Sequence, residues 1–293
     1  MNTLICFVLL LEIVCAKTIS YKGIEETDFI VKAQYNLPSY SYGIDRLNQR
    51  TLPLDNTYYN GKFDGNGIHV YIIDTGMSKN DFYEWDCGYN FIDNNTDCST
   101  TNIHATHVGS LIKSNQFGIA HAVTLHNLRV LDDTGSGYTS DVIRALDYIL
   151  DNKITCAIIN MSLGGPKSSI MNTKVKEVVL AGNRVIVAAG NGNSNACFYS
   201  PSSEESAITV GALTIYDKVA KFSNTGNCVD IYAPGDMIIG AVGKGFISYV
   251  SGTSMSTPFI AGTLALQMQR KGCNAKLKRT KIRKGVKIGF TGK

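Results

Sequence analysis

Asp74, His104 and Ser254 are the residues of this chain whose types and settings could turn a hydroxyl into a nucleophile. A serine hydroxyl attacks poorly near neutral pH and needs a base to take its proton. That base is usually a histidine, held in one tautomer by a buried carboxylate. Asp74 stands at the end of the apolar run IHVYII at residues 68–73, while His104 and Ser254 each open a segment of helical spacing. Taken singly, each has a plainer role. An aspartate before Thr75-Gly76 is ordinarily a turn residue, Asn191 after Gly190 a loop residue, and His69, His107, His121 and His126 are expected to be structural. The chemical reading therefore rests on the ensemble. No Gly-x-Ser-x-Gly elbow surrounds Ser254, which argues against a lipase-like hydrolase.

Such residues need a scaffold that brings distant segments together, and the apolar pattern supplies one. Runs at 68–73, 124–130, 157–161 and 185–189 have the character of buried strands, and helical spacing occurs near 140–150, 173–181 and 254–269. Two more short runs lie at 207–210 and 229–232. This alternation indicates parallel βαβ units in an α/β fold, with helices flanking a central, mostly parallel sheet. Continuous apolar runs fit strands covered on both faces. Ligand sites in such sheets lie at the carboxyl ends of the strands. Asp74, Ser162-Leu163-Gly164 and Gly190-Asn191 fall there. Pro258 lies near the start of the last helical segment, where proline is tolerated. Neither an internal repeat nor a domain-dividing linker is visible.

Composition is that of a globular protein, with 44% hydrophobic and 18% charged residues. Residues 4–14 are nearly all apolar, broken by Glu12 and followed by Cys15-Ala16. A short apolar run ending in small residues is the pattern of a secretory signal, here cleaved after Ala16. It is shorter than the roughly 18 residues that span a bilayer, so no stable membrane insertion is expected and the product should be secreted. Net charge is +4, yet after Asp236 come 11 Lys and Arg and no acid. In a secreted chain this suggests a solvated tail, not a nucleic-acid surface, and no nucleic-acid partner is expected. Cys6 and Cys15 lie in the signal. The six others, Cys87, Cys98, Cys156, Cys197, Cys228 and Cys273, are compatible with disulfides in any of 15 pairings and lack zinc-site spacing. Asn94-Asn95-Thr96 is a glycosylation sequon in an expected loop; Asn160-Met161-Ser162 is another, on a strand entering the cleft, and is expected to go unused.

IIDTG around Asp74, HATHVG around His104, AAGN ending at Asn191 and GTSMSTP around Ser254 resemble the subtilisin family of serine proteases, its proteinase K branch above all. VLDDTGSG at 130–137, SLGG at 162–165, YSPSSE at 199–204 and FSNTGNCVDIYAPG at 222–235 extend the likeness over roughly residues 34–270. The order Asp-His-Ser along the chain is also that family's. The resemblance implies a three-layer α/β subtilisin-like fold and a secreted, monomeric endopeptidase of broad specificity. It would act on protein or peptide substrates through an acyl-enzyme. Ser254 would be the nucleophile, His104 rather than His107 the base, and Asp74 the carboxylate that orients it. Asn191 would join the Ser254 amide as an oxyanion donor. Gly135-Ser136-Gly137 and Ser162-Leu163-Gly164 would be the two edges that pair with an extended substrate.

The same resemblance implies a Cys197–Cys228 disulfide. Cys87 with Cys98 is the expected second, Cys156 is expected to be a free core thiol, and Cys273 is left unassigned. A structural calcium ion would be held by the Asp230 carboxylate and the carbonyls of Glu205 and Ala207, although Glu205 stands where proteinase K has proline. The expected organisation is a signal at 1–16, a remnant at 17–33 resembling the end of an inhibitory prodomain, and a peptidase domain at 34–293. Residues 271–293 depart from the family's closing helices. Ile103 and Ala105 replace the glycines that flank the family's catalytic histidine, the stretch from Cys98 to His104 is longer, and Ser256 replaces an alanine. A methyl at residue 105 is expected to crowd the helix start, so the alternative is a catalytically silent fold that binds peptides or a partner protein. DTG at 74–76, in place of the DDG of kexins, argues against a strictly dibasic processing enzyme.

Overall fold

The computed structural model describes residues 4–9, 12–21, 24–27, 41–58, 62–281 and 286–291. The chain divides into two units, Met1–Leu37 and Pro38–Lys293. In the first, β1 (Leu4–Leu9), β2 (Glu12–Tyr21) and β3 (Ile24–Thr27) form an antiparallel sheet, with Leu4 opposite Lys17 and Thr18 opposite Thr27. The cleavage position expected after Ala16 falls inside β2. Residues 28–33 of the stretch that resembles a prodomain strand lie outside the described residues.

The second unit begins with α1 (Tyr42–Asn48) and continues through β4 (His69–Thr75), β5 (Asp86–Asn90), α2 (His104–Lys113), β6 (Thr124–Leu131), α3 (Thr139–Asp151), β7 (Ile158–Met161), β8 (Gly165–Pro166) and α4 (Ser169–Leu180). Then come β9 (Arg184–Ala188), β10 (Tyr199–Ser200), β11 (Ile208–Leu213) and β12 (Ile231–Pro234). A hairpin that the apolar pattern did not announce, β13 (Ile238–Gly243) and β14 (Phe246–Val250), leads into the 19-residue α5 (Thr253–Lys271). β15 (Arg279–Lys281) and β16 (Lys287–Gly289) follow.

Nine strands form one sheet in the order β15-β16-β12-β11-β9-β7-β4-β6-β5. Every neighbouring pair is parallel except β15 with β16. Alternation along the strands builds the layers, because successive side chains point to opposite faces. Val70, Ile72, Ile158 and Ile186 pack with α2 and α5, while Ile73, Ile159, Val185 and Val187 pack with α3 and α4. The result is the expected three-layer α/β arrangement. From β4 the chain first builds one side of the sheet, β5 and β6, and then the other, starting with β7. That reversal opens a crevice at the carboxyl end of β4, where Asp74 sits. Among the described residues no helix is long and apolar enough to cross a membrane.

Two expectations are corrected. The basic tail is not simply solvated: Ile288 and Phe290 are buried, and β16 pairs in parallel with β12 at Tyr232 and Ile288. Lysine and apolar residues alternate there, so an extended segment turns its apolar side inward. Cys156 is not a free thiol but is bonded to Cys273, beside the expected pairs Cys87–Cys98 and Cys197–Cys228. The strand begins only at Ile158, and Cys156 lies in the bend before it with φ 59°. A helix of 19 residues runs about 28 Å. It carries the chain from the carboxyl ends of the strands back to their amino ends, where Cys156 waits for Cys273.

Candidate active site

Asp74 is fully buried at the end of β4. Its Oδ1 accepts from His104 Nδ1 at 2.7 Å and from the Thr75 amide at 2.6 Å. The turn after it demands glycine, since a Cβ on Gly76 would overlap the Cys98 carbonyl. His104 opens α2, and its amide donates to Asn102 Oδ1 at 2.8 Å. Ala105 donates its amide to Thr75 Oγ1 at 3.1 Å and buries its methyl in the core. The expected crowding does not occur, for the helix starts at His104 and the carboxylate–imidazole bond is made. Burial opposes charge on His104, but the attraction and hydrogen bond of Asp74 outweigh it and raise the imidazole above its usual pKa. His107, one turn on, behaves oppositely. Burial pushes it down to about 4, its Nε2 donates to the Ile238 carbonyl at 3.1 Å, and it is structural as expected.

Ser254 is the second residue of α5, where unpaired amides and the helix dipole favour negative charge. Its Oγ donates to the Ser162 carbonyl at 2.9 Å, and no hydrogen bond joins it to His104 among the described residues. The link to Ser162 is reciprocal. Pro258 has no amide proton, so the Ser254 carbonyl four residues earlier lacks its helical donor. Ser162 Oγ at 2.9 Å and Thr257 Oγ1 at 3.1 Å donate to it instead. The proline within α5 thus ties the serine to the segment at 162–164. Asn191 follows Gly190, whose φ of 100° is left-handed. Its Oδ1 accepts from the Thr253 amide at 2.8 Å and from Thr253 Oγ1 at 2.9 Å. The side-chain amide is therefore fixed with its NH2 left to donate.

A cleft of about 680 Å³ runs beside these groups. Its walls include Ile103 and His104, Gly135-Ser136-Gly137 on one side and Ser162-Leu163-Gly164 on the other. Asp74 lies behind His104, out of contact with solvent, and Ser254 is 9% exposed. The structure thus joins Asp74 to His104, Ser254 to Ser162 and Asn191 to Thr253, and it sets His104 in one cleft with both expected substrate edges.

The pattern of the Subtilase family matches residues 39–285. The chain belongs to the subtilase family. It is 43% identical over 246 residues to the alkaline serine exoprotease A of Vibrio alginolyticus, covering 83% of this chain and 46% of that one. To the extracellular serine proteinase of Thermus sp. (strain Rt41A) it is 45% identical over 235 residues, 78% of this chain and 57% of the relative. The chain thus spans about half the length of these curated relatives. The crystal structure of a cold adapted subtilisin-like serine proteinase superposes with a TM-score of 0.81 at 36% identity, covering 87% of this chain and 99% of that one.

The calcium ligands expected in this subtilase lie some way from the cleft residues in sequence. Asp230 is exposed, and its Oδ2 accepts from the Thr209 amide at 2.9 Å, which holds it beside the start of β11 that Ala207 immediately precedes. Its Oδ1 takes no hydrogen bond among the described residues. One carboxylate with carbonyls suits a hard cation that keeps several waters. Among the described residues no group of three or more His, Cys, Asp and Glu could hold a metal. Sequence reasoning missed four supporting roles: Thr253 orients Asn191, Asn102 accepts from the His104 amide, Pro258 frees the Ser254 carbonyl, and the Ser162 hydroxyl fills it. Thr253 and Pro258 were within reach, since both lie in GTSMSTP.

Proposed function

We propose that this subtilase is a secreted serine endopeptidase acting on protein or peptide substrates. The observation that carries the reading is the 2.7 Å bond from His104 Nδ1 to a buried Asp74, at the wall of a cleft whose other edge includes Ser162, the residue that holds the Ser254 hydroxyl. Nδ1–H donates to Asp74, so Nε2 is left as the acceptor for the serine proton. Ser254 Oγ turns from the Ser162 carbonyl to His104 and attacks the scissile carbonyl. The oxyanion is met by the Ser254 amide and Asn191 Nδ2. His104 then gives its proton to the leaving amine, and a water activated by His104 hydrolyses the acyl-enzyme. A peptide lying extended between 135–137 and 162–164 pairs with both edges, and a cleft open along its length suits cleavage within a chain.

The proposed organisation is a signal at 1–16, a prodomain remnant at 17–33 and the peptidase domain from 34, acting as a monomer. Asp230 with the carbonyls of Glu205 and Ala207 would hold a calcium ion, whose contribution would be to fix the loop before β11 and not to take part in the chemistry. The test is hydrolysis of unfolded casein by the secreted chain and by Ser254→Ala, with labelling by a serine-directed phosphonate. Cleavage and labelling lost in the variant are expected. A folded wild-type chain that neither cleaves nor labels would favour the silent peptide-binding alternative.

A further inference from the structure

We infer that Ile103 determines specificity at this site by presenting an aliphatic wall to the side chain two residues before the cleaved bond. The inference deepens the endopeptidase reading and rests on it.

Ile103 is 43% exposed and lines the cleft directly before His104. Neither the core nor the helix accounts for an isoleucine there. As N-cap of α2 it offers no acceptor, and the amide of His104 turns to Asn102 Oδ1 instead. Nor can the residue fold away from the cleft, because its loop is pinned. Thr100 Oγ1 and Thr101 Oγ1 donate to the two carboxylate oxygens of Asp133 at 2.5 and 3.0 Å, and Asn102 Nδ2 donates to the Asp133 carbonyl at 3.1 Å. Arg129 donates to Asp133 Oδ1 at 3.0 Å and to the Ser99 carbonyl at 2.5 Å. Asp133 belongs to the segment that continues into Gly135-Ser136-Gly137. The longer stretch before His104 is thus clamped to one substrate edge, and Ile103 is held between that edge and the base.

The direction of the substrate's side chains follows from its extended form, in which successive residues point to opposite sides. One of those sides is the apolar part of the cleft formed by Val142, Leu163 and Met171, which takes the side chain just before the cut. The one before it turns to the opposite wall, where Asn102, Ile103 and His104 stand. Against isoleucine an aliphatic side chain removes apolar area from water, while a charged one loses hydration without gaining a partner. Asp133, the nearby carboxylate, is already engaged by Thr100, Thr101 and Arg129. The favoured class is therefore peptides with an aliphatic residue at that position, over acidic or basic ones.

The experiment compares the secreted chain with Ile103→Gly and Ile103→Val on internally quenched peptides differing only at that position, with Leu, Asp or Lys. The Leu-to-Asp ratio of kcat/KM is expected to fall about tenfold in Ile103→Gly and to stay near wild type in Ile103→Val. A ratio unchanged in a glycine variant that folds and labels with phosphonate overturns the inference. If the glycine variant does not fold, Ile103→Ala carries the same ratio test. A wild-type chain that neither labels nor cleaves overturns the endopeptidase reading itself, which separates the two failures.

Discussion

The two ends of α5 are built to opposite purposes. At its amino end Gly252 supplies no side-chain cap, and the Ser254 hydroxyl rests on a single carbonyl, that of the cleft residue Ser162. At its other end two glutamines are tied down at both side-chain atoms. Gln269 Oε1 accepts from the amides of Asp64 and Gly65 at 2.9 and 2.8 Å, and its Nε2 donates to Asp64 Oδ1 at 3.0 Å. Gln267 donates to the Phe290 carbonyl at 3.1 Å and accepts from the Lys278 amide at 2.8 Å. Arg184 donates to the Ala275 carbonyl at 2.7 Å, and Cys273 is bonded to Cys156. One helix thus anchors itself at the amino ends of the strands and presents Ser254 in its first turn at their carboxyl ends. A reacting serine needs donors held still but not already spent, and the firm anchoring at the far end supplies the stillness.

That contrast predicts where function and stability separate. The largest effect is expected at the open end. Ser254→Ala should lower kcat by on the order of 10⁶-fold, the scale on which a Ser-His-Asp triad loses its nucleophile, while leaving thermal unfolding nearly unchanged; a large fall in melting temperature would show that the hydroxyl is structural. Next, Asn191→Ala should cost about 100- to 1000-fold in kcat with little change in KM. A loss shared equally by both constants would place Asn191 in ground-state binding. At the anchored end, replacing Cys156 and Cys273 together by alanine should destabilise the chain by about 2–4 kcal/mol. The bond closes a separation of 117 residues, against 11 for Cys87–Cys98, so removing the latter should cost less. Denaturant unfolding of both variants checks the ranking, and equal losses would break the comparison.

The smallest effects are in pH dependence and concern the two histidines of α2. His104 is raised, so kcat/KM should rise with pH through a midpoint above the usual imidazole value. Its contribution to stability has the other sign: complete below the unfolded pKa and lost as pH rises through the folded one. His107 is lowered to about 4, so the unfolded chain takes up a proton before the folded one does. Stability should therefore fall as pH drops from roughly 6.5 toward 4, and His107→Gln should remove that slope from unfolding curves measured across this window. A slope that survives the substitution assigns it to other groups.

Much of the fold was legible because apolar runs and helical spacing mark parallel βαβ units without reference to distant contacts. Thr124–Leu131 was expected as 124–130 and Thr139–Asp151 as 140–150. The hairpin at Ile238–Val250 and the edge strand Asp86–Asn90 were not: Asp86–Asn90 and Phe246–Val250 are half-exposed, while the buried run at Ile238–Gly243 is short and broken by Gly240. At the site the sequence marked the groups that could react but not those that hold them. Thr253 orients Asn191, and Ser162 fills the carbonyl that Pro258 leaves bare, across 62 and 92 residues of chain.

The sequence by itself determined the layered α/β architecture, because apolar runs and helical spacing are written in local order, and it marked the candidate reactive side chains and, through the family resemblance, the two expected substrate edges. Only the tertiary structure decided that Ala105 fits, that Cys156 meets Cys273, that Ile288 and Phe290 enter the core, and that Ile103 is held open to the cleft. Those outcomes depend on which surfaces close against each other, and packing between segments far apart in the chain leaves no local pattern to read.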